Sequence, residues 1–451
     1  MRLSFLFLLL ALAGFHLPAQ ITQEGMAREI NSGKKPLGGV FIQFEDAPSK
    51  TTDEAGAFSL TFQNKRVGDL IFLKEIRKNG YELVNRKDFE VTKISNGERL
   101  GVDIILAKEG YVDAAKKEYY EVSDKALYAS FEREKASLRR KLKEAKFTQA
   151  EYLSKLDTLQ ARYDIQKLNL DRLADQFARV NFDDVVPLYK KALELFKVGK
   201  VDSSMRLLED ADLIARTSEL LKKKVNYEEA LKETEEDIQD AIDPIRLLAE
   251  LYIVELEIQK AEALYDQLLL LDSTDLEILR EVASFYEEQR IYDKALKLLP
   301  KIQSHPEAAA WQIANANGSL GDIYTTLGQL INALSAFDSS RATYLRLMRD
   351  SATYFYAENL SVVYQRMGNT YGSLGQLDSA LSYYQQSQGL MKSLVSADPR
   401  NVGFQNGLAI SYQYMGSTYG SLGQLDSALS YYQQYQGLMK SLVSADPRNV
   451  T

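Results

Sequence analysis

The sequence predicts a multidomain α+β protein: a small N-terminal β-sandwich, a long helical hairpin serving as spacer, and an all-α superhelical solenoid. Three observations carry this expectation. Apolar residues alternate with a period of two as far as about Lys108, and from about Tyr111 their spacing becomes helical. From about residue 183, helix pairs recur with small and large residues at fixed offsets. The last two pairs are nearly one sequence written twice: YGSLGQLDSALSYYQQ stands at Tyr371–Gln386 and again, 48 residues on, at Tyr419–Gln434. The identity continues to Val402 and Val450, broken only where Ser387 faces Tyr435.

Residues 1–19 read as an export signal. Arg2 supplies the positive end, Leu3 to Ala13 the largely apolar run, and Leu17-Pro18-Ala19 a cleavage site before Gln20. That run is too short to span a bilayer as a mature helix, and no later segment is long and apolar enough to do so. The chain has no cysteine, which removes lipid attachment at the cleavage site. An exported protein, periplasmic or extracellular, without a transmembrane segment is therefore expected.

Composition narrows the chemistry. Of the 451 residues 45% are hydrophobic and 26% charged, the balance of ordinary folded protein. The net charge is −8 with no Lys/Arg-rich run, which argues against nucleic acid or an anionic membrane as main partner. Without cysteine there are no disulfides, no thiol catalysis and no Cys-based metal site. His16 lies in the signal and leaves His305 alone in the mature chain, so a zinc site built on two or three histidines is excluded. His305 follows a helix in the sequence His-Pro-Glu and reads as a solvated turn residue rather than a catalytic base. No GxxxxGK[ST] phosphate loop or DxDxDG calcium loop occurs. A non-enzymatic protein without cofactor or metal is expected.

In 20–108, Val40, Ile42 and Phe44 alternate with Phe41 and Gln43, and Phe58, Leu60 and Phe62 with Ser59 and Thr61; Val102, Ile104 and Leu106 repeat the pattern. Turn signals at 31–36, 52–56, 78–80 and 95–97 separate these runs, as in a small sandwich. PLGGVFIQFEDAP, TTDEAGAFSLTF and KNGYELV resemble the carboxypeptidase-regulatory-like, transthyretin-type sandwich of exported bacterial proteins. The resemblance implies an accessory module, since the catalytic zinc domain of that family is a separate domain with His ligands. Asp53 and Glu54, conceivable as cation ligands, sit in a tight turn closed by Gly56 and read as turn residues.

Segment 109–182 reads as a charged helical hairpin or coiled-coil spacer. Leu127, Phe131, Leu138 and Leu142 form one stripe, and Leu156, Leu159, Tyr163, Leu170, Leu173 and Phe177 a second. Thr148 and Glu151 have capping-box spacing at the start of the second helix. Each helix spans roughly 50 Å, and the short break between them predicts an antiparallel pair.

Segment 183–307 holds a first group of repeats with a charged helical insert, and 308–451 a second group of longer units. Leu248, Ala249, Tyr252, Ala261 and Tyr265 recur as Val282, Ala283, Tyr286, Ala295 and Leu299. An earlier unit matches through Ala192, Leu195, Gly199, Ser204, Leu208 and Ala211, and later units through Gly321, Gly368 and Gly416 with the residues around them. Period and large-small-large order resemble the tetratricopeptide repeat, although its usual Trp is missing and the last units lengthen to 47 and 48 residues. The Gly-Gln-Leu-Asp turn is unchanged, so the extra residues must lengthen the helices.

In that repeat family one face of each first helix lines the concave surface, which by resemblance puts Gln365, Asn369, Ser373, Gln413, Ser417 and Ser421 on a partner-binding surface. Segment 308–451 has eight acidic and eight basic residues, so an uncharged lining with slight salt dependence of binding is expected, and the Lys/Arg clamp of some family members is missing. The expected function is an exported scaffold holding a protein or peptide, not nucleic acid, on that surface. Two further readings are the sensory front of a longer signalling or effector protein, and carbohydrate binding through Phe41, Phe44, Phe58 and Phe62 of the sandwich. Leu429, Tyr432, Leu438 and Leu442 on the final helix are expected to form an open apolar face that supports self-association.

Overall fold

The computed structural model describes residues 20–63, 65–95, 100, 103–213, 215, 231–350, 353–399 and 401–445. The expected signal at 1–19, the Asn96-Gly97 turn, Val102, most of the charged insert and everything from 446 onward lie outside the described residues. The chain divides into two compact units, Met1–Leu264 and Tyr265–Thr451.

In the first unit, the period-two segment folds into β1 (Gln20–Glu29), β2 (Phe41–Phe44), β3 (Lys50–Thr51), β4 (Ala57–Gln63), β5 (Leu70–Arg77), β6 (Tyr81–Leu83), a one-turn α1 (Lys87–Glu90), β7 (Val91–Lys93) and β8 (Ile104–Lys108). They form two four-stranded sheets, ordered β4-β1-β8-β6 and β3-β2-β5-β7. β1 runs antiparallel to β4 and parallel to β8. Alternation drives one face of each sheet inward: Val40, Ile42, Phe44, Phe58, Leu60, Phe62, Ile104 and Leu106 share one core. Gly25 pairs with Phe58 across β1 and β4, and a Cβ there would lie 2.2 Å from the ring, so only glycine leaves the ring its place.

Of the four aromatic residues considered for sugar stacking, Phe44, Phe58 and Phe62 are buried, and Phe41 carries the Arg77 guanidinium 4.6 Å above its ring. Asp53 accepts the Ala57 N–H at 2.8 Å and serves the turn.

Two long helices follow, α2 (Tyr111–Lys143) and α3 (Gln149–Ala178). They are antiparallel, as cross-pairs show: Lys116 with Asp171, Tyr119 with Phe177, and Phe131 with Tyr163. At Thr148 the capping box is complete, with the hydroxyl accepting from Glu151 N–H at 3.2 Å and the Glu151 carboxylate accepting from Thr148 N–H at 2.8 Å.

The sandwich is joined to the hairpin by a polar lock. One carboxylate oxygen of Asp183 accepts the backbone N–H groups of Ser32, Gly33 and Lys34 at 2.9, 2.9 and 3.0 Å. Left-handed backbone at Asn31, Gly33 and Lys34 turns these three donors to one point. Glu82 accepts Val112 N–H at the start of α2, and Arg28 pairs with Asp103 and Asp184. The first repeat pair, α4 (Pro187–Lys197) and α5 (Val201–Asp210), is tied by Ser204 Oγ donating to Ala192 O at 2.7 Å. Helix α6 (Leu231–Val254) follows, and α7 (Ile258–Leu271) contains the division between the units.

The second unit continues as four pairs: α8 (Leu276–Glu288) with α9 (Tyr292–Gln303), α10 (Ala310–Thr326) with α11 (Leu330–Asp350), α12 (Tyr354–Ser373) with α13 (Leu377–Ala397), and α14 (Val402–Ser421) with α15 (Leu425–Ala445). Helix lengths rise from 13 and 12 residues in the first of these pairs to 20 and 21 in the last two. The turns do not grow: Gly375 and Gly423 both close them in the left-handed region. The added residues therefore lengthen the helices. Among the described residues no helix is long and apolar enough to cross a membrane.

Candidate protein-binding face

Within the last three pairs of the second unit, a glycine of the first helix faces an aromatic ring of the second. A Cβ on Gly321 would lie 2.3 Å from Phe337, on Gly368 2.4 Å from Tyr384, and on Gly416 3.0 Å from Tyr432. Close seating on this side leaves the opposite side of each first helix to meet the first helix of the next pair. α10 touches α12 and α12 touches α14, more closely than successive second helices approach one another. The first helices therefore form the inner side of this array.

A continuous set of polar and aromatic groups runs along that inner side. The Arg280 guanidinium of α8 lies 5.1 Å over the ring of Trp311 on α10, and Trp311 meets Phe355 of α12 edge-on at 5.2 Å. The Ser319 hydroxyl lies beside the Glu287 carboxylate. Arg366 of α12 pairs with Asp322 of α10 at 3.0 Å. Thr325 and Thr370 share a hydroxyl contact at 3.3 Å. Asn369 donates to the Tyr414 hydroxyl at 3.4 Å and accepts from that of Tyr384 at 2.7 Å.

Burial shapes the electrostatics of this face. The Glu287 carboxyl is pushed up to about 7, chiefly because burial penalises its charged form, with the Ser319 hydroxyl and Arg366 opposing and Asp322 and Glu288 adding. Burial also raises Asp322, against the pull of Arg366. It lowers Arg280, with Glu277 and Tyr344 opposing.

The six residues picked from the sequence separate into two classes. Gln413, Ser417 and Ser421 of α14 and Ser373 of α12 are exposed. Gln365 corrects the expectation of an accessible lining: it is buried, and its amide donates to Ser387 at 3.1 Å inside a cluster in which Ser387 also bonds Ser361 and Ser411. The cause is the next first helix, α14, which brings Ser411 against that turn of α12. Asn369 is half-buried with both ends of its amide engaged.

The expectation of an uncharged lining is corrected as well, because Glu287, Asp322 and Arg366 stand among these groups. The balanced charge of 308–451 could not reveal Asp322 and Arg366, since totals say nothing of which helix carries which sign, and Glu287 lies before that segment. The signal was in the repeat register: aligning Gly321 with Gly368 and Gly416 places Asp322 where Asn369 and Ser417 stand.

His305 is not merely a solvated turn residue. Its Nε2 donates to Thr274 O at 2.7 Å and its Nδ1 accepts from Glu307 N–H at 3.2 Å, which fixes the Nε2–H tautomer and ties two turns together. On α15, Leu425, Leu429 and Tyr432 are exposed, whereas Leu442, expected on the open face, is buried. Among the described residues no group of three or more Asp, Glu or His side chains is placed to hold a metal ion.

Residues 362–390 and 409–438 match the tetratricopeptide repeat, so the chain carries repeats of that type. No curated protein matches the chain. Among solved structures, BtubC (BKLC) from P. vanneervenii is 18% identical, covers 52% of this chain and 92% of its own, and superposes with a TM-score of 0.40. PilF of Pseudomonas aeruginosa is 18% identical, with 50% and 93% covered and a TM-score of 0.31. YrrB, a tetratricopeptide repeat protein with an unusual peptide-binding site, is 21% identical, with 49% and 98% covered and a TM-score of 0.30.

Proposed function

We propose that this protein is an exported, non-enzymatic scaffold that holds a protein or peptide segment against the inner, first-helix side of its repeats. One observation supports the reading above the others. Successive first helices present neighbouring aromatic, amide and charged groups, from Arg280 and Trp311 to Asp322, Asn369 and Ser417, the last three at one repeat position. A periodic surface of this kind suits an extended segment, because each repeat adds contacts without adding a new fold. The export signal read at 1–19 puts the partner in the periplasm or outside the cell.

A photo-crosslinking residue at Ser417, on the inner side, compared with one at the exposed Ser430 of α15, tests this in the native envelope. A discrete adduct from Ser417 alone is expected. Equal labelling from both positions, or none from Ser417, refutes the reading. Intact-mass measurement of the exported chain checks for Gln20 at its N-terminus.

A further inference from the structure

We infer that the segment held on this face is basic, delivering Lys or Arg side chains to the carboxylates of α8 and α10. The inference rests on the first-helix side being the binding surface and specifies the chemistry of what binds there. Charge is segregated between the two sides of the second unit. The first helices α8, α10, α12 and α14 together carry six carboxylates against two arginines, whereas the second helices α9, α11, α13 and α15 carry eight cations against five carboxylates. The overall near-neutrality of this region conceals an acidic inner side and a basic outer one.

Two local arrangements on the acidic side point the same way. Glu287 is a half-buried carboxylate beside the neutral hydroxyl of Ser319, and among the described residues no cation stands at ion-pair distance from it. The acceptors beside it already show what they take: Asp322 holds the Arg366 guanidinium, and the Trp311 ring holds that of Arg280. Carboxylate and aromatic face are the two partners a guanidinium prefers, and here both are offered along one line.

The same geometry makes binding respond to pH. The charged groups acting on Glu287 are Asp322 from α10, Arg366 from α12 and Glu288 from its own helix, while on the adjoining α9 Lys294 is turned to Asp266. Held near 7, the Glu287 carboxyl is mostly neutral about one pH unit below that value and mostly ionised about one unit above. A cationic side chain arriving beside it expels the proton. Its apparent affinity therefore falls close to tenfold from about pH 8 to about pH 6 if ionised Glu287 is the competent state.

The probes are two fluorescent peptides of equal length, one alternating Arg and Gly and the other Glu and Gly, titrated by anisotropy into the full chain. Trp311, the only tryptophan, gives a second readout on the face itself. The Arg peptide is expected to bind, to change Trp311 emission, and to weaken toward low pH. Binding should drop about tenfold in the Glu287→Gln, Asp322→Asn double variant and stay unchanged in Asp338→Asn, on the outer side. Binding of the Glu peptide as tightly as the Arg peptide overturns the inference, as does equal binding by the two variants. If the double variant fails to fold, the pH profile of the unaltered chain decides: a flat profile from about pH 6 to about pH 8 overturns it. The underlying reading is judged separately, since a Ser417 adduct formed without preference for the Arg peptide leaves the binding face standing and removes only its basic specificity.

Discussion

Glu287 couples the stability of the repeats to pH in a direction opposite to most carboxylates. Its folded value near 7 lies above its unfolded value of 4.5, so between the two the folded chain keeps a proton that the unfolded chain has lost. Stability contributed by this group is full below about 4.5, declines as pH rises toward 7, and is constant beyond. The loss is at most about 3 kcal/mol. Glu287→Gln, which resembles the protonated form, should flatten this part of the profile. Urea melts of both chains across the window provide the measurement, and parallel profiles contradict the assignment. Asp322 has the same sign, so a shallow slope remaining in the variant is expected.

Residue environment also accounts for the single mismatch between the two copies. Ser387 is fully buried and bonded to Ser361 and Ser411, where a phenol ring has no room. Its counterpart Tyr435 is half-buried against the cluster of Phe404, Leu408 and Tyr412.

At the scale of the element, glycines in these helices divide by what a methyl group would meet. Gly368 in α12 faces the Tyr384 ring, whereas Gly389 in α13 is exposed, with nothing within 4 Å of an added Cβ. Gly368→Ala should destabilise by about 1–3 kcal/mol through overpacking. Gly389→Ala should stabilise by up to about 1 kcal/mol, because alanine loses less backbone entropy in a helix interior. Thermal melts of the two variants should move in opposite directions, and a shared sign refutes the packing account. Lengthening the helices adds surface to each pair without touching the turn, left-handed at Arg290 between α8 and α9 and at a glycine in the later pairs, so the repeat register survives from the 12-residue helix to the 21-residue one.

For the whole molecule, sandwich and hairpin in the first unit are joined by a set of hydrogen bonds and ion pairs, of which Asp183 accepts three at one oxygen. Its carboxylate satisfies three N–H groups that left-handed backbone has already aimed, and Asp183→Ala leaves all three without this acceptor. Hydrogen exchange at Ser32, Gly33 and Lys34 should accelerate by more than tenfold, while β4, paired within the sandwich, keeps its protection. Uniform acceleration through β4 shows instead that the residue holds up the sandwich as a whole. The corrected lining also changes an expectation about solution behaviour. With Glu287, Asp322 and Arg366 on the inner side, binding there should weaken as salt rises rather than ignore it.

Periodicity was enough to establish the kinds of element present. The alternation of Phe58, Leu60 and Phe62, the Thr148–Glu151 cap and the recurring small residues each encode a local geometry that needs no distant partner, and each appears as read. The constant turn likewise required the extra residues to extend helices. Which side chains remain accessible was decided elsewhere. Gln365 and Gln413 occupy the same repeat position, yet one is enclosed by Ser387 and Ser411 and the other is exposed, because only the first has α14 folded over it. Glu287, Asp322 and Arg366 come from three helices spread over 80 residues, and no pattern local to any one of them announces that they meet. Burial and charge proximity depend on contacts between segments far apart in the chain, so they are properties of the packed array, whereas periodicity belongs to the chain itself.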